Sequence, residues 1–242
     1  MAAPAAILSN RDLRQLEAEL SRMAALVESQ LQAAITAFER RDIAVAESLV
    51  ANDRRIDVFD RDIEAGVVSM LSGHSLPVEM VRELVTIMKL SGELERVGDL
   101  AKNVAKRTLV ISREAPAKPM LGVVRMGRAS LRQFSDILDA YAARNLDAAR
   151  AVWRGDDELD ELYNSVFQEI MSAMMDKPSH VNACTHLVFT AKNFERVGDH
   201  ATNIAEAIHF LVTGSVMVEP RPKGDMTATT IVQTPDASDN SS

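Results

Sequence analysis

Apolar residues recur at intervals of three and four along most of the chain, which is the spacing of one face of an α-helix. Leu13, Leu16, Leu20, Met23 and Val27 are one such series. Glycine, proline and polar clusters interrupt the pattern and mark the ends of the predicted elements. The pattern predicts six long helices, at residues 7–40, 43–71, 78–111, 120–143, 146–175 and 179–213. The chain is therefore predicted to be all-α.

The pentapeptide ERVGD occurs at residues 95–99 and again, unchanged, at 195–199. An exact repeat of this length in a short chain indicates an internal duplication. Each half then holds three of the six helices, so we predict two tandem three-helix bundles, at 7–115 and 118–213. The remaining residues, 214–242, are rich in Pro, Thr, Ser and Asp and are predicted to form a disordered tail.

Composition narrows the possible functions. The formal net charge of −8 argues against nonspecific binding of nucleic acid through a basic surface. Cys184 is the only cysteine, so an intrachain disulfide and a thiolate zinc site are both excluded. No apolar run is long enough to cross a bilayer. We therefore predict a cytoplasmic protein that reaches membranes only through partners.

An acidic residue followed four positions later by aspartate occurs on four predicted helices, two in each half. The pairs are Asp53/Asp57, Glu95/Asp99, Asp156/Asp160 and Glu195/Asp199. Residues at i and i+4 are neighbours on a helix, and like charges there repel each other. A bound cation would reverse that repulsion. Carboxylate oxygens without histidine or cysteine ligands favour Mg²⁺, Mn²⁺, Ca²⁺ or iron over structural zinc.

Other polar and small residues accompany the acidic pairs in both copies of the repeat. They are Gly98 and Gly198, Asn103 and Asn203, and Arg96 and Arg196. A glycine inside a helix allows close approach of another helix or of a ligand. The asparagines are candidates for further oxygen ligands or for partners behind the metal ligands. The arginines are candidates for holding an anion or orienting a carboxylate, and their simplest role is a surface salt bridge.

Two other functional classes use the same residues. A metal-dependent hydrolase would need an enclosed pocket with an acid–base group beside the metals, and the sequence offers no clear candidate. A purely structural helical bundle would carry the acidic rows as solvated faces, which is the usual role of any single pair. The chain contains no phosphate-binding glycine loop, dinucleotide fingerprint or nucleophile elbow.

The duplicated ERVGD segments, the segments DRRID at 53–57 and DDELD at 156–160, and the tandem three-helix layout resemble the PhoU family of phosphate-transport and phosphate-signalling regulators. The resemblance spans about residues 10–213. It implies an all-α, often dimeric, non-enzymatic regulator that acts with the ATPase subunit of a phosphate ABC transporter. It also implies a phosphate-sensing histidine kinase as partner, whose output the regulator damps when phosphate is plentiful.

Some members of that family bind metal, iron among others, through acidic motifs. The resemblance places those motifs on the four pairs above, with iron, Mg²⁺ or Mn²⁺ as the expected ions. The second half departs from this pattern, because Tyr163 and Phe167 stand where the first half has Asp60 and Glu64. We therefore expect its metal site to be smaller or weaker than the first.

Overall fold

A computed structural model of the chain describes residues 4–52, 54–73, 75–115, 118–221 and 224. Within these residues the regular structure is entirely helical. None of the helices described is both long enough and apolar enough to span a membrane. The eight α-helices found there are α1 Pro4–Arg40, α2 Ile43–Asn52, α3 Arg54–Gly73, α4 Val78–Ile111, α5 Met120–Ala142, α6 Leu146–Arg154, α7 Asp156–Asp176 and α8 Val181–Thr213.

The six predicted helices are confirmed, but each middle helix consists of two segments. The predicted helix 43–71 is described as α2 and α3, on either side of residue 53, which lies outside the described residues. The predicted helix 146–175 is interrupted at Gly155, which separates α6 from α7. The φ of −82° and ψ of 6° of Gly155 depart from helical values. Glycine is costly inside a helix, so this position favours an interruption. The last predicted helix begins with a short 3₁₀ turn at Pro178–His180.

Helices α4 and α8, which carry the two ERVGD segments, lie side by side at the centre of the molecule and form its most extensive helix–helix contact. Helix α1 packs on α4, α5 packs on α8, and α1 and α5 also touch each other. The split helices flank this centre, with α2 and α3 against α4, and α6 and α7 against α8. One continuous apolar core runs through both halves.

The repeated glycines allow the flanking helices to approach the central pair closely. A Cβ on Gly98 would lie 2.6 Å from the Cδ1 atom of Ile56 on α3. A Cβ on Gly198 would lie 2.6 Å from the Cδ2 atom of Leu159 on α7, the equivalent helix of the second half. The predicted close approach of another helix at both glycines is thus confirmed.

The turns after α1 and α5 are equivalent, but their arginines make different contacts. Arg41 and Arg144 follow α1 and α5, and both adopt left-handed backbone with φ of 57° and 48°. The guanidinium of Arg41 donates to the carbonyl of Ile111, the last residue of α4, and to that of Glu114 just after it, both within its own half. The guanidinium of Arg144 instead donates to both carboxylate oxygens of Glu83 in the other half, at 2.7 Å each. Planar two-bond pairing of this kind fixes orientation.

Replacement of Gly198 by alanine tests the close packing of α7 on α8. Overpacking in a filled core costs about 1–3 kcal/mol, and alanine gains about 1 kcal/mol of helix propensity. We therefore expect Gly198→Ala to lower the free energy of unfolding by about 1 kcal/mol, measured by urea denaturation.

Gly92→Ala is the matched control, because Gly92 lies on α4 and a Cβ there meets nothing within 4 Å. That variant should gain up to about 1 kcal/mol. Equal stabilisation of both variants would show that α7 does not approach α8 at Gly198 as closely as described.

Candidate functional site

The predicted acidic pairs gather on two equivalent faces, one in each half. The first acidic face, between α3 and α4, comprises Asp57, Asp60, Glu95 and Asp99, while its predicted member Asp53 lies outside the described residues. The second acidic face, between α7 and α8, comprises Asp156, Asp160, Glu195 and Asp199. The helical repeat and the glycine-mediated packing bring both sets into place.

The first acidic face is half-buried and has few cationic contacts. Lys102 places its Nζ 2.6 Å from the Oδ1 atom of Asp99. The hydroxyl of Ser91 donates to Asp60 at 2.6 Å. Asp60 thus joins the predicted pairs on this face. The arrangement is open, since 48% of the Asp99 side chain remains exposed.

The carboxylates of the first acidic face destabilise one another's charge. Burial raises the pKa of Glu95, and the neighbouring charges of Asp99, Asp60 and Asp57 raise it further. Raised carboxyl pKa values from like charges are expected where acidic groups share a site. A cation bound beside Glu95 would relieve this repulsion.

The second acidic face is buried and already paired. Arg221, from the segment after α8, places its guanidinium 2.6 Å from Asp156 and 2.5 Å from Asp199. The backbone N–H of Gly224 donates to Asp160 at 2.7 Å. Lys192 lies 2.8 Å from Glu195. All four acidic side chains are thus in contact with donors of the chain itself.

Burial and ion pairing act against each other in the second acidic face. Burial raises the pKa of Asp156, although the hydrogen bonds and charge of Arg221 oppose that rise. Burial also disfavours the charged guanidinium of Arg221, but Asp156 and Asp199 outweigh it and raise the pKa of Arg221. A buried charge that loses its partner is strongly unfavourable, so this pairing matters to the local fold.

The two faces differ in how well they fit a metal ion. In the first, oxygen donors repel one another, which suits a hard cation. In the second, Arg221, Lys192 and Gly224 contact oxygens that a metal would need. Within the part of the chain that the structure describes, no three His, Cys, Asp or Glu side chains converge as ligands of one ion.

The other predicted residues lie around these faces. Asn203 donates to Glu93 at 3.0 Å, across the contact between α8 and α4. Arg96 and Arg196 are exposed, and Asn103 is half-buried on α4. A ligand role for Asn103 or Asn203, and an orienting role for the arginines, stay predictions.

Sequence reasoning missed a buried polar cluster between the two halves. The Nδ1 atom of His200 lies 2.6 Å from Glu93, and only 6% of His200 is exposed. Burial alone would raise the pKa of Glu93, but hydrogen bonds with His200 and Asn203 outweigh burial and lower it. Leu100 is the first-half equivalent of His200, and Asn193 is the second-half equivalent of Glu93. The repeat therefore gave no sign of this cluster.

Comparison with known proteins decides the family. The model of the PhoU domain matches the chain twice, at residues 20–108 and 123–208, once in each half. The chain belongs to the PhoU family. A protein of Caulobacter vibrioides (strain NA1000 / CB15N), named phosphate-specific transport system accessory protein PhoU homolog, is 42% identical over 216 residues, covering 89% of this chain and 94% of that protein.

Further relatives agree in sequence and in structure. A homologue of the same name from Rhizobium meliloti (strain 1021) is 35% identical over 221 residues, covering 91% of this chain and 93% of its own length. The crystal structure of PhoU from Pseudomonas aeruginosa has a TM-score of 0.82 at 29% identity, covering 85% of this chain and 99% of that one. A second crystal structure is that of the phosphate transport system regulatory protein PhoU from Streptococcus pneumoniae. It has a TM-score of 0.80 at 25% identity, covering 86% of this chain and 99% of that one.

Replacement of Glu95 by glutamine tests the repulsion within the first acidic face. A carboxyl whose pKa is raised by folding weakens the fold once it ionises. The penalty is absent below the ordinary glutamate pKa of about 4.3 and complete above the raised one. We expect Glu95→Gln to melt at a higher temperature than the unsubstituted protein at pH 7, in low salt with chelator, and the difference to vanish towards pH 3.

Glu47→Gln is the control for that experiment, because Glu47 is an exposed glutamate on α2. It removes the same charge without touching the acidic face. A melting temperature for Glu95→Gln that matches this control at every pH would contradict the repulsion described.

Proposed function

We propose that this protein is a non-enzymatic accessory regulator of phosphate transport. The observation that carries the proposal is the double match to the PhoU domain, together with relatives named phosphate-specific transport system accessory proteins at 35–42% identity over nearly their whole length. The fold supports a rigid helical adaptor, because one core joins both halves, and the first acidic face stays open to solvent.

We further propose which partners the protein contacts and how it affects them. The protein would act in the cytoplasm, as a homodimer, between the ATPase subunit of a phosphate ABC transporter and a phosphate-sensing histidine kinase. It would damp kinase output and restrain uptake when phosphate is plentiful. These roles follow from the family resemblance, and the net charge of −8 favours protein partners over nucleic acid.

The first acidic face has a specific place in this proposal. Glu95 and Asp99, opposite Asp57 and Asp60, would draw together around a hard cation such as Mn²⁺, Mg²⁺ or iron, because their carboxylates do not converge on one point without it. The cation would supply positive charge where the chain has mutually repelling carboxylates. Such a change in surface potential alters which partner surface is electrostatically complementary.

Gene replacement tests the regulatory role. The chain would be expressed in a Caulobacter vibrioides strain in which the gene of its 42% identical relative has been silenced. We expect it to restore low phosphate uptake, and low expression of a phosphate-starvation reporter, in phosphate-rich medium. Both readouts matter, because uptake reports on the transporter and the reporter on the kinase.

The relative's own gene, expressed at the same level, is the positive control. Uptake and reporter expression that stay as high as in the silenced strain, with the chain present at the control level, would contradict the proposal. Recovery of uptake alone would support the transporter role and reject the kinase role.

Elemental analysis tests the proposed metal site. We expect untagged protein loaded with Mn²⁺ to retain metal after gel filtration, and Glu95→Ala/Asp99→Ala to lose it. The equivalent second-half variant, Glu195→Ala/Asp199→Ala, is the matched control and should retain it, because Arg221 and Lys192 contact the oxygens there. Metal retained by the first-half variant would place the ion elsewhere.

A further inference from the structure

The segment after α8 returns along that helix to the second acidic face. Gly214 ends α8 with left-handed backbone, at φ 76°, and its N–H donates to Phe210. Met217 packs against the core on the way. Arg221 then contacts Asp199, which lies about four helical turns before the end of α8. This segment, residues 215–221, is named here the return segment.

The length of the return segment is sufficient to bring residue 221 back to Asp199. Asp199 lies about 21 Å from Thr213, the last residue of α8, at 1.5 Å per helical residue. Seven extended residues span roughly 23 Å. The segment is therefore long enough for residue 221 to reach Asp199 when it runs back antiparallel to α8. A long side chain with several donors suits the last few ångströms.

The contacts of Arg221 are those of a built site. Only 16% of its side chain and 3% of that of Asp156 are exposed. Its Nε and one terminal nitrogen both donate to Asp156, and that terminal nitrogen also donates to Asp199. The side-chain amide of Gln133, from α5, donates to the other oxygen of Asp156 at 3.3 Å. Three helices thus shape the space around one guanidinium.

Among the residues that the structure describes, the first half has no equivalent of this arrangement. Helix α4 is followed in the chain by α5, whereas the return segment follows the last helix. The face there has Lys102, on α4 itself, in contact with the more exposed Asp99. The duplication therefore provides two acidic faces, and the return segment reaches only the second.

We propose that the second acidic face is a guanidinium site, filled by the chain's own Arg221, and that it is closed to metal cations while Arg221 occupies it. The return segment then acts as an internal ligand that makes the two halves different. An arginine on a partner protein, or a divalent cation at high concentration, would have to displace Arg221 first. The proposal does not depend on the role in phosphate transport.

A Mn²⁺ titration of the full chain tests this proposal. The background variant Glu95→Gln/Asp99→Asn removes two carboxylates from the first acidic face, so that binding reports mainly on the second. Into it we would introduce Arg221→Ala, and separately Arg125→Ala, which removes the same charge from an exposed site on α5. Isothermal titration with Mn²⁺ alone then gives the dissociation constants.

We expect Arg221→Ala to tighten Mn²⁺ binding by about tenfold or more. If Arg221 fills the site about nine-tenths of the time, only one-tenth of the molecules can bind Mn²⁺, and the apparent affinity is about tenfold lower. Arg125→Ala should leave the constant unchanged. Arg221→Lys, which keeps the charge but not the planar fork, should give an intermediate value and keeps the test valid if the alanine variant unfolds.

Hydrogen exchange on the unsubstituted protein provides an independent reading. We expect the amide of Gly224, which donates to Asp160, to exchange slowly, and to lose that protection in Arg221→Ala. Mn²⁺ constants for both Arg221 variants equal to that of Arg125→Ala would overturn the proposal. Rapid exchange at Gly224 in the unsubstituted protein would overturn it as well. Neither result bears on the gene-replacement test, so the two proposals fail separately.

Discussion

The packing of α4 against α8 is the constraint on which the rest of the structure depends. Each central helix carries one ERVGD segment, and each uses a glycine to admit a flanking helix. Because the acidic residues share those turns with the glycines, the contact that builds the core also sets the acidic faces. A change at Gly98 or Gly198 would therefore alter packing and electrostatics together.

Duplication has preserved the backbone while the charges have diverged. The first acidic face keeps carboxylates that raise the pKa of Glu95, whereas the second pairs its carboxylates with Arg221 and Lys192. Replacement of Asp60 and Glu64 by Tyr163 and Phe167 fits the same trend, since it makes the second half less acidic. Equivalent positions therefore do not imply equivalent ligands in the two halves.

Much of the fold could be predicted from the sequence, because helical periodicity and an exact repeat are local and dense patterns. The bounds of α4 were predicted to the residue for this reason. The break at Gly155 was not, since a single glycine inside a helical pattern is often tolerated. Arg221 was missed because it lies after the last helix, where the spacing of apolar residues carries no information about contacts. His200 was missed because its partner Glu93 lies in the other half.

The most direct measurement is anomalous diffraction from crystals of the full chain grown with Mn²⁺. The account predicts an anomalous peak among Asp57, Glu95 and Asp99, and a guanidinium between Asp156 and Asp199. A Mn²⁺ peak between Asp156 and Asp199, with Arg221 displaced and none at the first acidic face, would contradict it.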